Sequence, residues 1–81
     1  MKLTIKLFAA ARQMAGADQL TIEVAEGARL GELIDAVVAQ HPGLAAVIRH
    51  AAWAVDLKYA GRNTPLSATS EVALIPPVSG G

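Results

Sequence analysis

One amphipathic helix, set between two pairs of strand-like segments, limits the folds open to this chain. From position 30, apolar residues recur at i, i+3, i+4, i+7 and i+8, which places them on one stripe of a helix of about three turns. These residues are Leu30, Leu33, Ile34, Val37 and Val38. The helix should end before Pro42, because proline disfavours helical geometry at the residue before it. The stripe needs an apolar surface to cover it, so the flanking segments have to supply a sheet.

Period-2 alternation on both sides of the helix predicts the strands of that sheet. The strand segments are residues 3–7, 20–24, 53–57 and 72–75. Two further helical segments are expected, one at Ala9–Ala15 and a short one at 44–48. The order strand, strand, helix, strand, strand predicts an α+β domain with a mixed sheet packed on one main helix.

Size and composition allow a single small domain. The chain has 81 residues, of which 53% are hydrophobic, and no cysteine. Core packing therefore has to hold the fold without disulfides or thiolate metal sites. The seven basic and seven acidic residues cancel and are scattered, which argues against binding to nucleic acid or to an anionic membrane. Because the longest apolar runs are far too short to span a bilayer, we expect a soluble, cytoplasmic protein.

Residues that could carry catalysis within the domain are sparse. His41 and His50 are nine positions apart, and neither has an acidic partner at ligand spacing, so no metal site is predicted. Gly27 and Gly31 lack the lysine and Ser/Thr of a phosphate loop and indicate a turn before the helix. The chain is therefore expected to bind no metal or cofactor, and its reactive group has to be sought outside the domain.

The end of the sequence supplies a candidate for that group. Strand 72–75 is followed by Pro76, Pro77, Val78, Ser79, Gly80 and Gly81. Proline lacks an amide N–H and fixes φ, so the pair ends strand pairing and directs the next residues outward as a stiff spacer. Glycine has no Cβ, so a diglycine end fits a slot too narrow for side chains. We expect residues 1–77 to form the domain and 78–81 a tail of about 13 Å when extended, with a reactive terminal carboxylate. A frayed end without function is the alternative.

Two segments resemble the small sulfur-carrier subunits of molybdopterin synthase, which are ubiquitin-like β-grasp proteins. Residues 7–12 resemble the first strand and short helix of that family, and residues 71–81 resemble its most specific motif. The resemblance covers the whole chain and implies a ubiquitin-like β-grasp fold. The sequence departs from the family in having Asp56 where an Asn is usual, and Thr69 and Ser70 where an Asp-Gly turn is usual.

The resemblance implies a mechanism for the tail. An E1-like activating enzyme would adenylate the Gly81 carboxylate with ATP and magnesium, and a sulfur donor system would convert it to a thiocarboxylate. The tail would then insert into the large subunit of molybdopterin synthase, in an expected heterotetramer. Its sulfur would pass to a pyranopterin precursor in molybdenum cofactor biosynthesis. The chain would thus be a co-substrate and a non-catalytic subunit.

Four residues are expected to form a recognition surface for these partners. Phe8 and Ile75 fall out of register with their buried neighbours, which predicts exposed apolar surface near the tail. Tyr59 is a third member, although simple alternation through residues 53–59 would place it on the core side. Core packing is the alternative for all three. Arg12 lies among small and apolar residues, where it is either an anchor for a partner's carboxylate or a snorkelling side chain.

Other functions use the same features. A carrier for thiazole or thionucleoside synthesis, or a protein modifier, would share the tail chemistry. A simple β-grasp binding module would have an inert C terminus. Deletion of Gly81 separates these classes, because a binding module keeps its activity whereas a carrier loses it.

Overall fold

Five strands and three helices make up residues 1–77, which are the residues that the computed structural model describes. In chain order these elements are β1 (Lys2–Leu7), α1 (Ala9–Ala15), β2 (Gln19–Glu23), α2 (Leu30–Gln40), a 3₁₀ turn (Pro42–Leu44), α3 (Ala45–His50), β3 (Ala52–Val55), β4 (Lys58–Ala60) and β5 (Val72–Ile75). The strands form one sheet in the order β2-β1-β5-β3-β4. β1 and β5 are parallel and the other neighbours are antiparallel. This mixed sheet confirms the predicted ubiquitin-like β-grasp fold.

The core lies between the sheet and α2. The predicted helix stripe is buried except for Val38, which is half-buried. The largest fully buried side chains are Leu3, Ile5, Ile22, Leu30, Leu33, Val37, Leu44, Val72 and Leu74. Burial of each side chain of this kind contributes about 1.5–3 kcal/mol. Strands β1 and β2 alternate strictly between buried and exposed residues, so one face of the sheet meets the core and the other does not.

Strand β5 lies in the middle of the sheet. Ala73 of β5 is paired with Lys6 of β1 on one side and with Ala54 of β3 on the other. Because both edges of β5 are paired, the strand is a fixed base for the residues that follow it. Pro76 is half-buried and Pro77 is exposed. The predicted tail, residues 78–81, lies outside the described residues.

The segment predicted as one third strand, residues 53–57, is instead the first half of a hairpin. β3 ends at Val55, and Asp56 and Leu57 form a two-residue turn with φ values of 51° and 69°. Hairpin turns of this length favour positive φ at both central residues and usually carry Asn-Gly or Asp-Gly. Trp53 and Val55 are buried, in keeping with the predicted alternation, but Leu57, the next position of that alternation, is 93% exposed.

The loop between β4 and β5 is fixed to the start of α2, where Glu32 Oε1 accepts the N–H of the N-cap residue Arg29 at 3.2 Å. The backbone N–H of Leu30 donates to the carbonyl of Thr64, and that of Gly31 to the carbonyl of Arg62, each at 2.8 Å. Nη2 of Arg62 also donates to both carboxylate oxygens of Asp35 at 3.0 Å. Backbone carbonyls from a distant loop thus satisfy the amides that a local cap residue would otherwise satisfy.

Candidate functional site

An apolar depression lies on the face of the sheet that points away from α2, beside β5. Its volume is about 360 Å³. The small side chains of Ala54 and Ala73, which are paired across β3 and β5, lie within it. We define the outer patch as the four large hydrophobic side chains that line the depression, Phe8, Leu57, Tyr59 and Ile75.

Exposure of the outer patch distinguishes it from ordinary surface. Phe8 is 49% exposed, Tyr59 is 78% exposed and Leu57 is more exposed still. Within residues 1–77, the one other large hydrophobic residue with high exposure is Met14 on α1, which does not line the depression. Single exposed apolar residues are normal, but a contiguous group of them marks a surface that binds another molecule.

Phe8 reaches this surface because the chain changes direction directly after β1. Phe8 has extended backbone angles and precedes the first residue of α1, Ala9, whose φ is 50°. The Phe8 carbonyl accepts the N–H groups of Ala11 and Arg12 at 3.2 and 3.4 Å. Leu7 remains in the core, and Phe8 stays outside it, as the sequence predicts.

Tyr59 reaches the outer face through the hairpin. Tyr59 of β4 is paired with Ala54 of β3. Trp53, the residue before Ala54, points into the core. Side chains paired across two strands share a face, so Tyr59 lies on the side of Ala54. Simple alternation through residues 53–59 predicts the core side for Tyr59, because it treats these residues as one strand and omits the two-residue turn at Asp56 and Leu57. The exposure that the interface prediction requires for Tyr59 is therefore observed.

Unfavourable backbone conformations occur within the outer patch and next to it. The non-glycine residues with positive φ among residues 1–77 are Ala9, Asp56 and Leu57. For most L-residues this region costs about 1–2 kcal/mol, and less for Asp. Asp56 is held in place by Glu71, which precedes β5. The Asp56 N–H donates to the Glu71 carbonyl at 2.8 Å, and Asp56 Oδ1 accepts the Glu71 N–H at 2.9 Å. Strain that the surrounding structure maintains in this way is concentrated at functional sites.

Two charged side chains, Lys6 and Glu71, also line the depression. Arg12, the fourth predicted interface residue, lies outside the depression, where its Nε contacts Asp18 Oδ1 at 2.6 Å. Both partners of this ion pair are well exposed, so it contributes at most about 1 kcal/mol. The structure thus brings Phe8, Tyr59 and Ile75 together, and it adds Leu57, which sequence analysis did not identify as a site residue.

The remaining predicted site residues belong to the tail. Val78, Ser79, Gly80 and Gly81 lie outside the described residues, so the structure does not test their predicted roles. Within residues 1–77, no three His, Asp or Glu side chains are grouped closely enough to hold a metal ion. In the same range, no helix combines the length and the apolar character needed to cross a bilayer.

The β-grasp sheet, with an apolar outer patch beside its central strand, defines a ubiquitin-like protein. Residues 5–81 match the ThiS family. The chain belongs to the ThiS family.

Relatives and solved structures resemble the chain over its full length. It is 34% identical to the molybdopterin synthase sulfur carrier subunit of Chlamydomonas reinhardtii, with 100% of both chains covered. It is 30% identical to the protein of the same name from Arabidopsis thaliana, over 100% of this chain and 84% of that one. Among solved structures, SAMP1 from Haloferax volcanii superposes with a TM-score of 0.89 at 31% identity, with both chains fully covered. A chain from the complex of subunits 1 and 2 of the Helicobacter pylori molybdopterin-converting factor superposes with a TM-score of 0.74 at 26% identity, again with both fully covered.

Proposed function

We propose that this chain is the sulfur carrier subunit of a molybdopterin synthase and that the C-terminal residue Gly81 carries the sulfur. The observation that supports this most strongly is the position of the outer patch. It lies beside β5, the strand that leads through Pro76 and Pro77 into the diglycine end of the sequence. A partner that covers the patch is therefore next to the base of the tail. The two full-length relatives named as sulfur carrier subunits support the same proposal.

The chemistry at Gly81 needs an activation step. A carboxylate is a poor electrophile, so an E1-like enzyme transfers the adenylyl group of ATP, with magnesium, to one carboxylate oxygen and releases pyrophosphate. A persulfide donor then attacks the acyl carbon through its terminal sulfur, and AMP departs with that oxygen, which leaves an acyl disulfide. A thiol cleaves the S–S bond of this intermediate, forms a disulfide with the donor sulfur, and releases the C-terminal thiocarboxylate. ATP and magnesium are bound by the activating enzyme, and this chain supplies the acyl group.

The second partner is the large subunit, which consumes the thiocarboxylate. Subunit 1 of the Helicobacter pylori factor forms a complex with subunit 2, and we propose the corresponding partner here, in a heterotetramer. Four extended residues reach about 13 Å, which allows Gly81 to enter a site that the outer patch does not touch. The sulfur atoms of two such tails build the dithiolene of the pyranopterin product. Phe8, Tyr59 and Ile75 bind the partner's surface, and Arg12 is available for a carboxylate at its rim.

A protein modifier is the second candidate function. The resemblance to SAMP1, whose name stands for small archaeal modifier protein 1, favours it, since that protein superposes with the highest of the TM-scores quoted above. The activated intermediate would be the same. The acyl group of Gly81 would then pass to a lysine amine with formation of an isopeptide bond, in place of transfer of sulfur.

Reconstitution with the large subunit tests the proposed function. Loaded wild-type chain should bind the large subunit and convert the pyranopterin precursor to a dithiolene product. A variant that lacks Gly81 should still bind through the outer patch but form no product. Normal product formation without Gly81 would contradict the proposal. Transfer of the chain to lysines, without sulfur transfer to the precursor, would favour the modifier.

A further inference from the structure

We propose that Leu57, at the tip of the β3–β4 hairpin, is an anchor residue that inserts into an apolar pocket of the large subunit. This inference rests on the proposed function and names a contact within it. Within the outer patch, Leu57 would be the member that projects into the partner.

Two features of Leu57 are unfavourable for the free domain. Its side chain is apolar and almost fully exposed, and its φ of 69° is a value that Leu rarely adopts. Asn or Gly would relieve the backbone strain, and either is common in two-residue hairpin turns. The Leu57 side chain is not part of the buried core. The fold therefore gains nothing evident from leucine at this position, which points to a role in binding.

The tip of the β3–β4 hairpin is held in a fixed position at the start of β5. The two hydrogen bonds between Asp56 and Glu71 attach the turn to the residue that precedes β5. The Leu57 side chain lines the same depression as Phe8 and Ile75. The depression runs from Ile75 at the end of β5 to the hairpin tip at its start, so a surface that covers all of it is in reach of Leu57.

The composition of the surface favours a protein as the occupant. Large apolar side chains from separate segments line the depression, together with the charged residues Lys6 and Glu71. A surface that is rich in large apolar and aromatic side chains and has few charged groups is typical of a protein–protein interface. The large subunit is the partner that must hold this domain while the tail is inserted, so we commit to it. A second copy of this chain is the other occupant that the experiment has to address.

Three variants separate the apolar contact from the turn geometry. Leu57→Asn removes the apolar side chain and suits positive φ. Leu57→Met keeps an apolar side chain at the same backbone position. Met14→Asn is the matched control, because Met14 is an exposed apolar residue, 55% exposed, on α1 and outside the depression. The dissociation constant of each variant with the purified large subunit is measured by calorimetry, and the melting temperature by circular dichroism.

We expect Leu57→Asn to raise the dissociation constant at least about fivefold, which corresponds to about 1 kcal/mol. Its melting temperature should equal or exceed that of the wild type, because backbone strain is relieved. Leu57→Met and Met14→Asn should bind within about twofold of the wild type.

Several results would overturn the inference. Wild-type affinity in Leu57→Asn, while the wild type itself binds, would remove Leu57 from the interface and leave the proposed function intact. Equal weakening in Leu57→Asn and Leu57→Met would assign the effect to the turn instead of the apolar contact. A wild-type dimer in sedimentation that Leu57→Asn abolishes would assign Leu57 to self-association. Failure of the wild type to bind the large subunit would refute the proposed function itself and this inference with it.

Discussion

The substitution Ile34→Asp tests whether the α2 stripe holds the domain together. Ile34 is 8% exposed and belongs to the core cluster. At about 0.05–0.15 kcal/mol per residue, a domain of 81 residues has a total stability of about 4–12 kcal/mol. Loss of the buried side chain removes about 1.5–3 kcal/mol. An unpartnered carboxylate in its place costs several kcal/mol more. The sum approaches or exceeds the total, so we expect the variant to be unfolded at 25 °C.

Two further variants of α2 make the Ile34 test specific. Ile34→Ala should remain folded but lose about 2–5 kcal/mol, since it creates a cavity without burying a charge. Ala39→Asp adds the same charge at an exposed position of α2, and it should cost no more than about 1.5 kcal/mol through helix propensity and the helix dipole. Urea and thermal denaturation followed by circular dichroism measure all three. A cooperative transition of Ile34→Asp close to that of Ala39→Asp would refute the assignment of Ile34 to the core.

Two predictions concern the outer patch and the loop that caps α2. Ile75→Lys should fold normally, because Ile75 is half-buried on the outer face, and should weaken binding to the large subunit and the activating enzyme at least about fivefold. Met14→Lys is its control, and unchanged affinity of Ile75→Lys for both partners would exclude Ile75 from the interface. Gly31→Ala gains about 1 kcal/mol of helix propensity, but the new Cβ would lie 3.1 Å from Arg62 Nε and 3.2 Å from Arg62 Cβ. Displacement of Arg62 would break its exposed ion pair with Asp35, which contributes up to about 1 kcal/mol to stability. The net change by urea denaturation should stay within about 1 kcal/mol, and a loss above about 2 kcal/mol would show that the loop cannot shift.

Local periodicity explains which elements the sequence predicts well. The α2 stripe and the alternation in β1 repeat over enough residues to define both the element and its buried face. The β3–β4 hairpin was missed for the opposite reason. β4 has three residues, and the turn at Asp56 and Leu57 carries no glycine or asparagine. That turn reverses the chain, so the face of Tyr59 was not predictable from alternation.

Contacts between distant residues account for what the sequence does not predict at the site. Phe8 was assigned to the outer surface because it breaks a local pattern, which needs no knowledge of the rest of the fold. The proximity of Phe8 to the hairpin depends on the strand order, with β5 between β1 and β3. The bonds that fix the hairpin tip, between Asp56 and Glu71, join residues 15 positions apart. No local pattern of side chains predicts them.

The central claim is that Gly81 is the reactive end of the chain, and the mass of the C-terminal peptide tests it most directly. The protein is incubated with ATP, magnesium, its activating enzyme, a persulfide donor and a thiol reductant. The C-terminal peptide of the wild type should gain the mass difference between one sulfur and one oxygen. A variant with one residue added after Gly81 should fold normally and stay unmodified, because misplacement of a reacting group by about 1 Å can cost about a hundredfold in rate. Equal gain of sulfur by the extended variant, or sulfur located elsewhere in the chain, would contradict the claim.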